Sequence, residues 1–451
     1  MIAAGVAAPI LLRRVALPRL HLVFTAAVLL SVGSAERSTR FHPPTLVGES
    51  NWSHFWMPAT IFKGVGGDLI MSIDLAGDGK PCPPPGHPQN CSALYRSSNG
   101  GASWAIVYGN IPGMALPIPQ PTSRPDAAET RVYNFASTAT GHPGSFSIFS
   151  SVWQDSAAAG IQRVDAESID VSMTGFPPMA GTKSGPAASG NVVLLAGVSP
   201  PTNIGTFYGL LRNSSHSCHP YEGASAPPWP GCDSAFFAAS TDYGRSWAYR
   251  SHIDWIPPMS TKAEGLTESS ITQLRNGMLL SVFRLQCNLP LYKAFSTDHA
   301  RSWSTPERTN TWAVYPQLRT LPNGAVVLAS GRPGLGFWTN YAGDGVEWEF
   351  HNLCAVHNQL LEPSSGVQNR SAYLYQPTEV SVQNCSSPGT WPPQTKAYLG
   401  MVLLDETEPS CRGGSCDLLI AYDRLANGNS GPPGPWGQVD AVFSMRVTVT
   451  A

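Results

Sequence analysis

Charged residues are scarce in this chain. They make up 13% of its 451 residues, and the formal net charge is -2. That leaves no electrostatic footprint for nucleic acid or for an acidic membrane surface, so both partner classes are excluded. Stretches with the 3.6-residue periodicity of amphipathic helices are also rare. None of the nine cysteines forms a Cys-x2-Cys pair, which removes the usual zinc framework, and no metal or cofactor is expected. Beyond the N-terminal segment no run is apolar enough to span a bilayer.

Hydrophobic residues reach 42%, enough for a sizeable core, and Gly (43), Pro (41) and Trp (13) are abundant. This composition predicts many short strands joined by Gly/Pro turns, an all-β chain. The N-terminus carries Arg13, Arg14 and Arg19, an apolar run from Leu22 to Val32, and then Gly33-Ser34-Ala35. That is the pattern of a secretory signal over residues 1–35 with cleavage after Ala35; an uncleaved signal-anchor is the alternative. Residues 36–451 remain as a single domain, expected to be secreted or extracellular. The cysteines at 82 and 91, 218 and 232, and 411 and 416 lie close together in Pro/Gly/Ser-rich loops. Local disulfides are expected there, with the connectivity left open. Sequons at Asn51, Asn90, Asn213, Asn369 and Asn384 agree with a glycoprotein.

One string recurs. SSNGGASW runs from Ser97 to Trp104, STDYGRSW from Ser240 to Trp247, and STDHARSW from Ser296 to Trp303. A worn copy spans Asn340 to Trp348, where Asp344, Gly345 and Trp348 survive. The Asp or Asn can hydrogen-bond the backbone of its own turn, Gly supplies a positive φ, and the Trp covers the turn. Repetition of one hairpin turn predicts repeated small sheets, as in a propeller.

A second feature is the stretch from Glu268 to Arg284. Asn276-Gly277 sits midway between apolar runs, the strongest short hairpin signal. Folded about Arg275–Gly277, the stretch puts Leu274 opposite Met278 and Glu268 opposite Arg284. Taken alone, that pair is a cross-strand ion pair worth less than about 1 kcal/mol.

The three strings resemble Asp-boxes, the turn motifs of the sialidase (neuraminidase) superfamily. STDYGRSW matches fully; SSNGGASW has Asn99 for the Asp and STDHARSW has Ala300 for the Gly. The resemblance, which extends over roughly residues 50 to 450, implies a six-bladed β-propeller of four-stranded antiparallel sheets. ESSITQLRNGMLLSVFR (268–284) resembles the family segment that holds the nucleophile's base and an arginine of the carboxylate-binding triad. This implies those roles for Glu268 and Arg284. YPQLRTLPNGAVVLASGRPG (315–334) has the same form and implies Arg332 as a further arginine. KAYLGMVLLDE (396–406) followed by DLLIAYDRLANGN (417–429) looks like the last blade, with Tyr398 matching the nucleophile. SIDLAGDG (72–79) resembles the loop of the acid/base aspartate and offers Asp74 and Asp78, of which Asp78 lies further out and is preferred.

The pattern breaks in the first hairpin. The family has an arginine before Ile-Pro, whereas the chain reads Phe55-Trp56-Met57-Pro58, so Trp56 stands in its place. Lys63, Arg40 and Arg96 are the basic residues available to compensate, and Trp56 is a candidate for stacking on a sugar. The resemblance implies exo-hydrolysis of a terminal acidic sugar, most simply sialic acid, from glycoconjugates. A neutral tyrosine suits a sugar whose own carboxylate would repel a carboxylate nucleophile. With an ordinary pKa near 10, tyrosine needs a base such as Glu268. Arginine forks bind carboxylates in bidentate fashion. Two alternatives stand beside this reading: a propeller that binds glycan or protein without turnover, and a hydrolase of a different terminal sugar.

Overall fold

Segments such as LLSVF (279–283) and VVLASG (326–331) are apolar or small and buried along their whole length. Strands covered on both faces read this way, because neither face alternates toward solvent. The computed structural model describes residues 36–451 apart from 51–55, 65–66, 75–91, 108–115, 119–128, 141, 157–159, 164–168, 180–184, 213–231, 256–264, 286–289, 333, 363–366, 368, 377–393, 405–410, 412–413 and 427–439.

The chain opens with β1 (Ser38–Phe41) and β2 (Thr45–Ser50). A four-stranded sheet follows: β3 (Trp56–Lys63), β4 (Leu69–Asp74), β5 (Ser92–Ser97) and β6 (Ala105–Val107). Next come β7 (Leu116–Pro117), β8 (Glu129–Ala139), β9 (Phe146–Ser156), β10 (Gly160–Arg163) and β11 (Ile169–Thr174). They share a nine-stranded sheet with β12 (Ala187–Leu194), β13 (Asn203–Leu210), β14 (Asp233–Ser240) and β15 (Ser246–Ile253). Two four-stranded sheets come after it. One holds β16 (Ser269–Gln273), β17 (Leu279–Phe283), β18 (Tyr292–Ser296) and β19 (Glu307–Arg308). The other holds β20 (Val314–Thr320), β21 (Val326–Gly331), β22 (Leu335–Asn340) and β23 (Glu349–Asn352). A short helix α1 (Leu353–Leu360) precedes β24 (Gly400–Leu403), β25 (Ser415–Arg424) and β26 (Asp440–Thr450). Both β1 and β2 pair antiparallel with β26, so the first and last strands close one sheet together.

The fold is an all-β propeller of antiparallel sheets. Among the described residues the strands form five hydrogen-bonded sheets, against the six blades expected. The reason is one parallel contact: Ser172–Thr174 of β11 run beside Ser246–Ala248 of β15 and merge two groups of strands. Among the described residues no helix is long and apolar enough to cross a membrane.

Successive sheets meet at their first strands. Asn191 sits at a bulge in β12 and reaches both neighbours. Its amide donates to the carbonyls of Ile271 (2.8 Å) and Leu318 (3.0 Å), and its oxygen accepts from Ile271 N–H (2.8 Å). Ser270 Oγ, which also donates to Asn191, accepts from Leu318 N–H at 2.9 Å. Polar side chains thus lock β12, β16 and β20 into fixed register where an apolar packing could slide.

At the other ends lie the repeated turns. Ser240 Oγ donates to Asp242 and accepts from Gly244 N–H (2.7 Å each), while Asp242 accepts from the N–H groups of Arg245 (3.0 Å) and Ser246 (2.9 Å). Ser296, Asp298, Ala300, Arg301 and Ser302 repeat this set. Ala300 takes φ 65°, so the geometry survives the loss of glycine at the expense of strain. In the worn copy Asn340 replaces the first serine and accepts from Gly345 N–H at 2.9 Å. Tryptophans of these turns also reach beyond them. Trp303 does not simply cover its own turn: it stacks on Phe237 of β14 (centroids 4.1 Å apart) and donates to Ser251 of β15. Trp104 likewise donates to Ser444 of β26. Trp303 and Trp104 thus fasten their sheet to another, whereas Trp348 donates to the Gly345 carbonyl of its own turn.

A disulfide joins Cys411 and Cys416, as the local spacing suggested. Cys232 is also disulfide-bonded. Cys82, Cys91, Cys218, Cys287 and Cys385 lie outside the described residues, as do the sequons at Asn51, Asn90, Asn213 and Asn384.

Candidate active site

The hairpin of β16 and β17 pairs Ser269 with Phe283 and Gln273 with Leu279. Leu274 N–H donates to Met278 across the turn, and Gly277 takes φ 87°. Continued outward, this register sets Glu268 opposite Arg284, and Arg284 N–H donates to the Glu268 carbonyl at 3.1 Å. The side chains also meet: Arg284 Nη1 lies 3.0 Å from Glu268 Oε2. They are 12% and 6% exposed, so this is no solvated surface pair.

Glu268 has other partners. Tyr398 Oη donates to Oε1, and Tyr315 N–H donates to Oε2 at 2.9 Å. The Tyr315 and Tyr398 rings stack with centroids 4.7 Å apart. The Arg332 guanidinium stands 5.7 Å from the centre of the Tyr398 ring. It donates from Nη2 to the Lys396 carbonyl at 3.0 Å. Glu268, Arg284, Arg332 and Tyr398 are therefore one cluster built from three sheets.

The electrostatics follow from this packing. Burial pushes the Glu268 carboxyl up, but Arg284, the Tyr398 hydroxyl and Arg332 together outweigh it and hold the pKa below its ordinary value. Burial, followed by the negative charge of Glu268, pushes the Tyr398 phenol well above its ordinary value. At rest the pair is a carboxylate accepting from a neutral phenol. A phenol in this state loses its proton only as its oxygen forms a new bond, with Glu268 in place to take that proton.

The backbone around the cluster is strained. Seven non-glycine residues take a positive φ among the described residues. Three belong to the repeated turns: Tyr243, His299 and Ala300. The other four are Met57 (51°), Tyr315 (44°), Arg332 (65°) and Ala397 (66°). Tyr315 and Arg332 touch the cluster, Ala397 immediately precedes Tyr398, and Met57 shares its apolar core with Tyr315 and Tyr398. Such conformations are retained at roughly 1–3 kcal/mol each where a side chain must be aimed. Bulges accompany them, between Trp56 and Thr60 and between Val314 and Gln317. A bulge turns a strand and redirects its side chains. Close approach adds a constraint: a Cβ on Gly331 would lie 2.7 Å from that of Ala397. Glycine lets the β21 end and the Tyr398 segment touch.

Of the remaining predicted site residues, Trp56 starts β3 with its backbone opposite Asp74. Asp78 lies outside the described residues. Sequence reasoning passed over Tyr315, though it begins the quoted stretch of the second hairpin. It also passed over Asp423, whose signal is a carboxylate within the apolar strand sequence DLLIAYDRL.

No protein-family model matches the chain, and no curated protein matches it in sequence. Among solved structures it is similar to a Hadza microbial sialidase, with 11% identity over 87% of this chain and 65% of that chain, and a TM-score of 0.49. The chain thus spans less than two thirds of that neighbour. It is similar to the NanB sialidase from Streptococcus pneumoniae, with 12% identity over 91% and 70%, and a TM-score of 0.46. It is also similar to the intramolecular trans-sialidase from Ruminococcus gnavus, with 11% identity over 88% and 95%, and a TM-score of 0.40. These neighbours bear the name of the superfamily that the sequence motifs resemble.

Proposed function

We propose that this chain is an exo-acting glycoside hydrolase that removes a terminal sialic acid with retention of configuration. The observation that carries the reading is the hydrogen bond from Tyr398 Oη to the buried Glu268 carboxylate, flanked by Arg284 and Arg332. A buried phenol on a carboxylate held ionised is a nucleophile with its base. Two arginines beside it suit a substrate carboxylate.

In this mechanism Tyr398 Oη attacks the anomeric carbon while Glu268 takes its proton. The glycosidic C–O bond breaks, and the leaving oxygen takes a proton from an aspartic acid, for which Asp78 is the candidate. The resulting aspartate then removes a proton from water, which attacks the same carbon. Tyr398 leaves and regains its proton from Glu268.

The reading includes a signal segment at residues 1–35, a secreted domain over 36–451, and repeated turns of the Asp-box type. We count six blades, taking the nine-stranded sheet as two blades joined edge to edge through β11 and β15. Hydrolysis of a different terminal sugar is the second reading, favoured by Trp56 where the superfamily has an arginine.

Release of fluorophore from a 4-methylumbelliferyl sialoside by the purified protein tests the proposal, with Tyr398→Phe abolishing it. No turnover at any pH from acid to neutral sinks it. Turnover of another aryl glycoside in its place selects the second reading.

A further inference from the structure

Asp423 lies near the end of β25 and is 1% exposed, yet no step of the proposed chemistry uses it. It is surrounded by donors. Thr395 Oγ1 donates to Oδ1, and Lys396 N–H donates to Oδ2 at 3.0 Å. The backbone N–H of Met57 donates to the same carboxylate. Thr395 Oγ1 in turn accepts from Ala397 N–H at 2.8 Å. The Asp423 carbonyl accepts from Tyr375 Oη at 2.7 Å, which anchors the strand from behind.

These contacts converge on the strained segments. Met57 and Ala397 are two of the four positive-φ residues beside the candidate site, and Asp423 binds one directly and the other through Thr395. Lys396 donates its N–H to Asp423 and offers its carbonyl to Arg332. Ala397 then leads into Tyr398, which meets Glu268. One carboxylate therefore fixes the turn that carries the phenol, the carbonyl that orients Arg332, and the Met57 turn at the start of the first sheet.

We propose that Asp423 is a positioning residue: it holds the left-handed turns at Met57 and Ala397, and through them aims Tyr398 and Arg332. An ionised carboxylate is suited to this because it accepts on both oxygens, and every donor around it is fixed by the chain. Burial works against the ionised form and raises the Asp423 pKa, while the Thr395, Lys396 and Met57 donors oppose that rise. Asparagine has nearly the same shape, but its NH2 group would face a donor. The proposal rests on the hydrolase reading for its kinetic consequence only.

The test compares the full-length wild type with Asp423→Asn, Thr395→Val and Thr395→Ser. Hydrogen exchange on the folded protein reads the amides of Met57, Lys396 and Ala397. In Asp423→Asn their exchange is expected to rise about 10-fold or more, with the strands of the other sheets unchanged. Thr395→Val is expected to loosen Ala397 alone, and Thr395→Ser to restore it. On the sialoside, kcat is expected to fall about 100-fold in Asp423→Asn with KM within about threefold, since misplaced reacting groups lower turnover more than binding. Unchanged exchange at all three amides in both variants overturns the proposal. So does a uniform rise through every sheet, which would mark a purely structural residue. If the wild type does not hydrolyse the sialoside, the proposed function fails, and the exchange pattern still decides the role of Asp423.

Discussion

The repeated turns and the central cluster are both built on carboxylates, and they differ in where their partners come from. Asp298 takes its donors from residues within four positions of itself, Ser296, Arg301 and Ser302. Glu268 takes its donors from Arg284, Tyr315 and Tyr398, the last 130 residues away. Both pKa values lie below the ordinary range for different reasons. Around Asp298, hydroxyl and amide donors outweigh a burial that pushes up, giving a value of about 2. Around Glu268, heavy burial is outweighed chiefly by cations. The turn is a local device for reversing the chain. The cluster is a buried charge arrangement whose desolvation is offset only when distant segments meet, the kind of arrangement found where chemistry is done.

The contrast can be tested by substitution at each place. The largest effect is expected at the centre: Tyr398→Phe and Glu268→Gln should each lower kcat on a sialoside by about 1,000-fold or more. If Glu268→Gln keeps most of the rate, the central carboxylate is as structural as those of the turns. Next, Arg332→Lys should raise KM by about 10- to 100-fold, since an ammonium cannot offer the planar fork. The pH dependence separates the two carboxylates less directly. Because the Glu268 pKa is depressed, the base stays ionised as pH falls from 7 toward its ordinary value of 4.5. Any acid limb of kcat/KM above that value should therefore belong to another group and persist when Glu268 is replaced. The same sign governs stability: the Glu268 contribution is full above its unfolded pKa and is lost as pH falls through the lower folded one.

At the periphery, Asp298→Ala should lower the unfolding free energy by about 1–2 kcal/mol through lost hydrogen bonds while leaving kcat unchanged. Its stability loss should shrink as pH falls from 3.8 toward about 2, where the native carboxylate is itself protonated. A large fall in kcat would show that the turns do reach the centre. The smallest effect is expected from Ala300→Gly, which should stabilise by a few tenths of a kcal/mol because glycine accepts φ 65° without strain. A denaturant titration of both variants measures these differences.

The same division separates what was legible in the chain from what was not. The turns were readable residue by residue, since Ser, Asp and Gly act on their own backbone over a few bonds. Even so, the path of Trp303 onto Phe237 was not, because it depends on where the previous sheet lies. The hairpin at Asn276-Gly277 was readable to its register, because a tight turn and the two-residue period of a strand leave one pairing. The resemblance pointed to Tyr398 and Arg332 but gave no contact between them. It passed over Tyr315, whose backbone N–H meets the Glu268 carboxylate of another sheet, and Asp423, whose carboxylate accepts from the Lys396 N–H of a separate segment.

The all-β class, the turn positions and the pairing of Glu268 with Arg284 follow from local propensity or from the pleat, and the chain alone specifies them. Only the assembled fold sets β11 beside β15, so that the described residues form five sheets. It alone decided that Tyr398 would reach Glu268 and that Met57 and Ala397 would be held left-handed by one carboxylate. Those outcomes depend on how twisted sheets stack around a common centre, and no short stretch of chain contains that distance information.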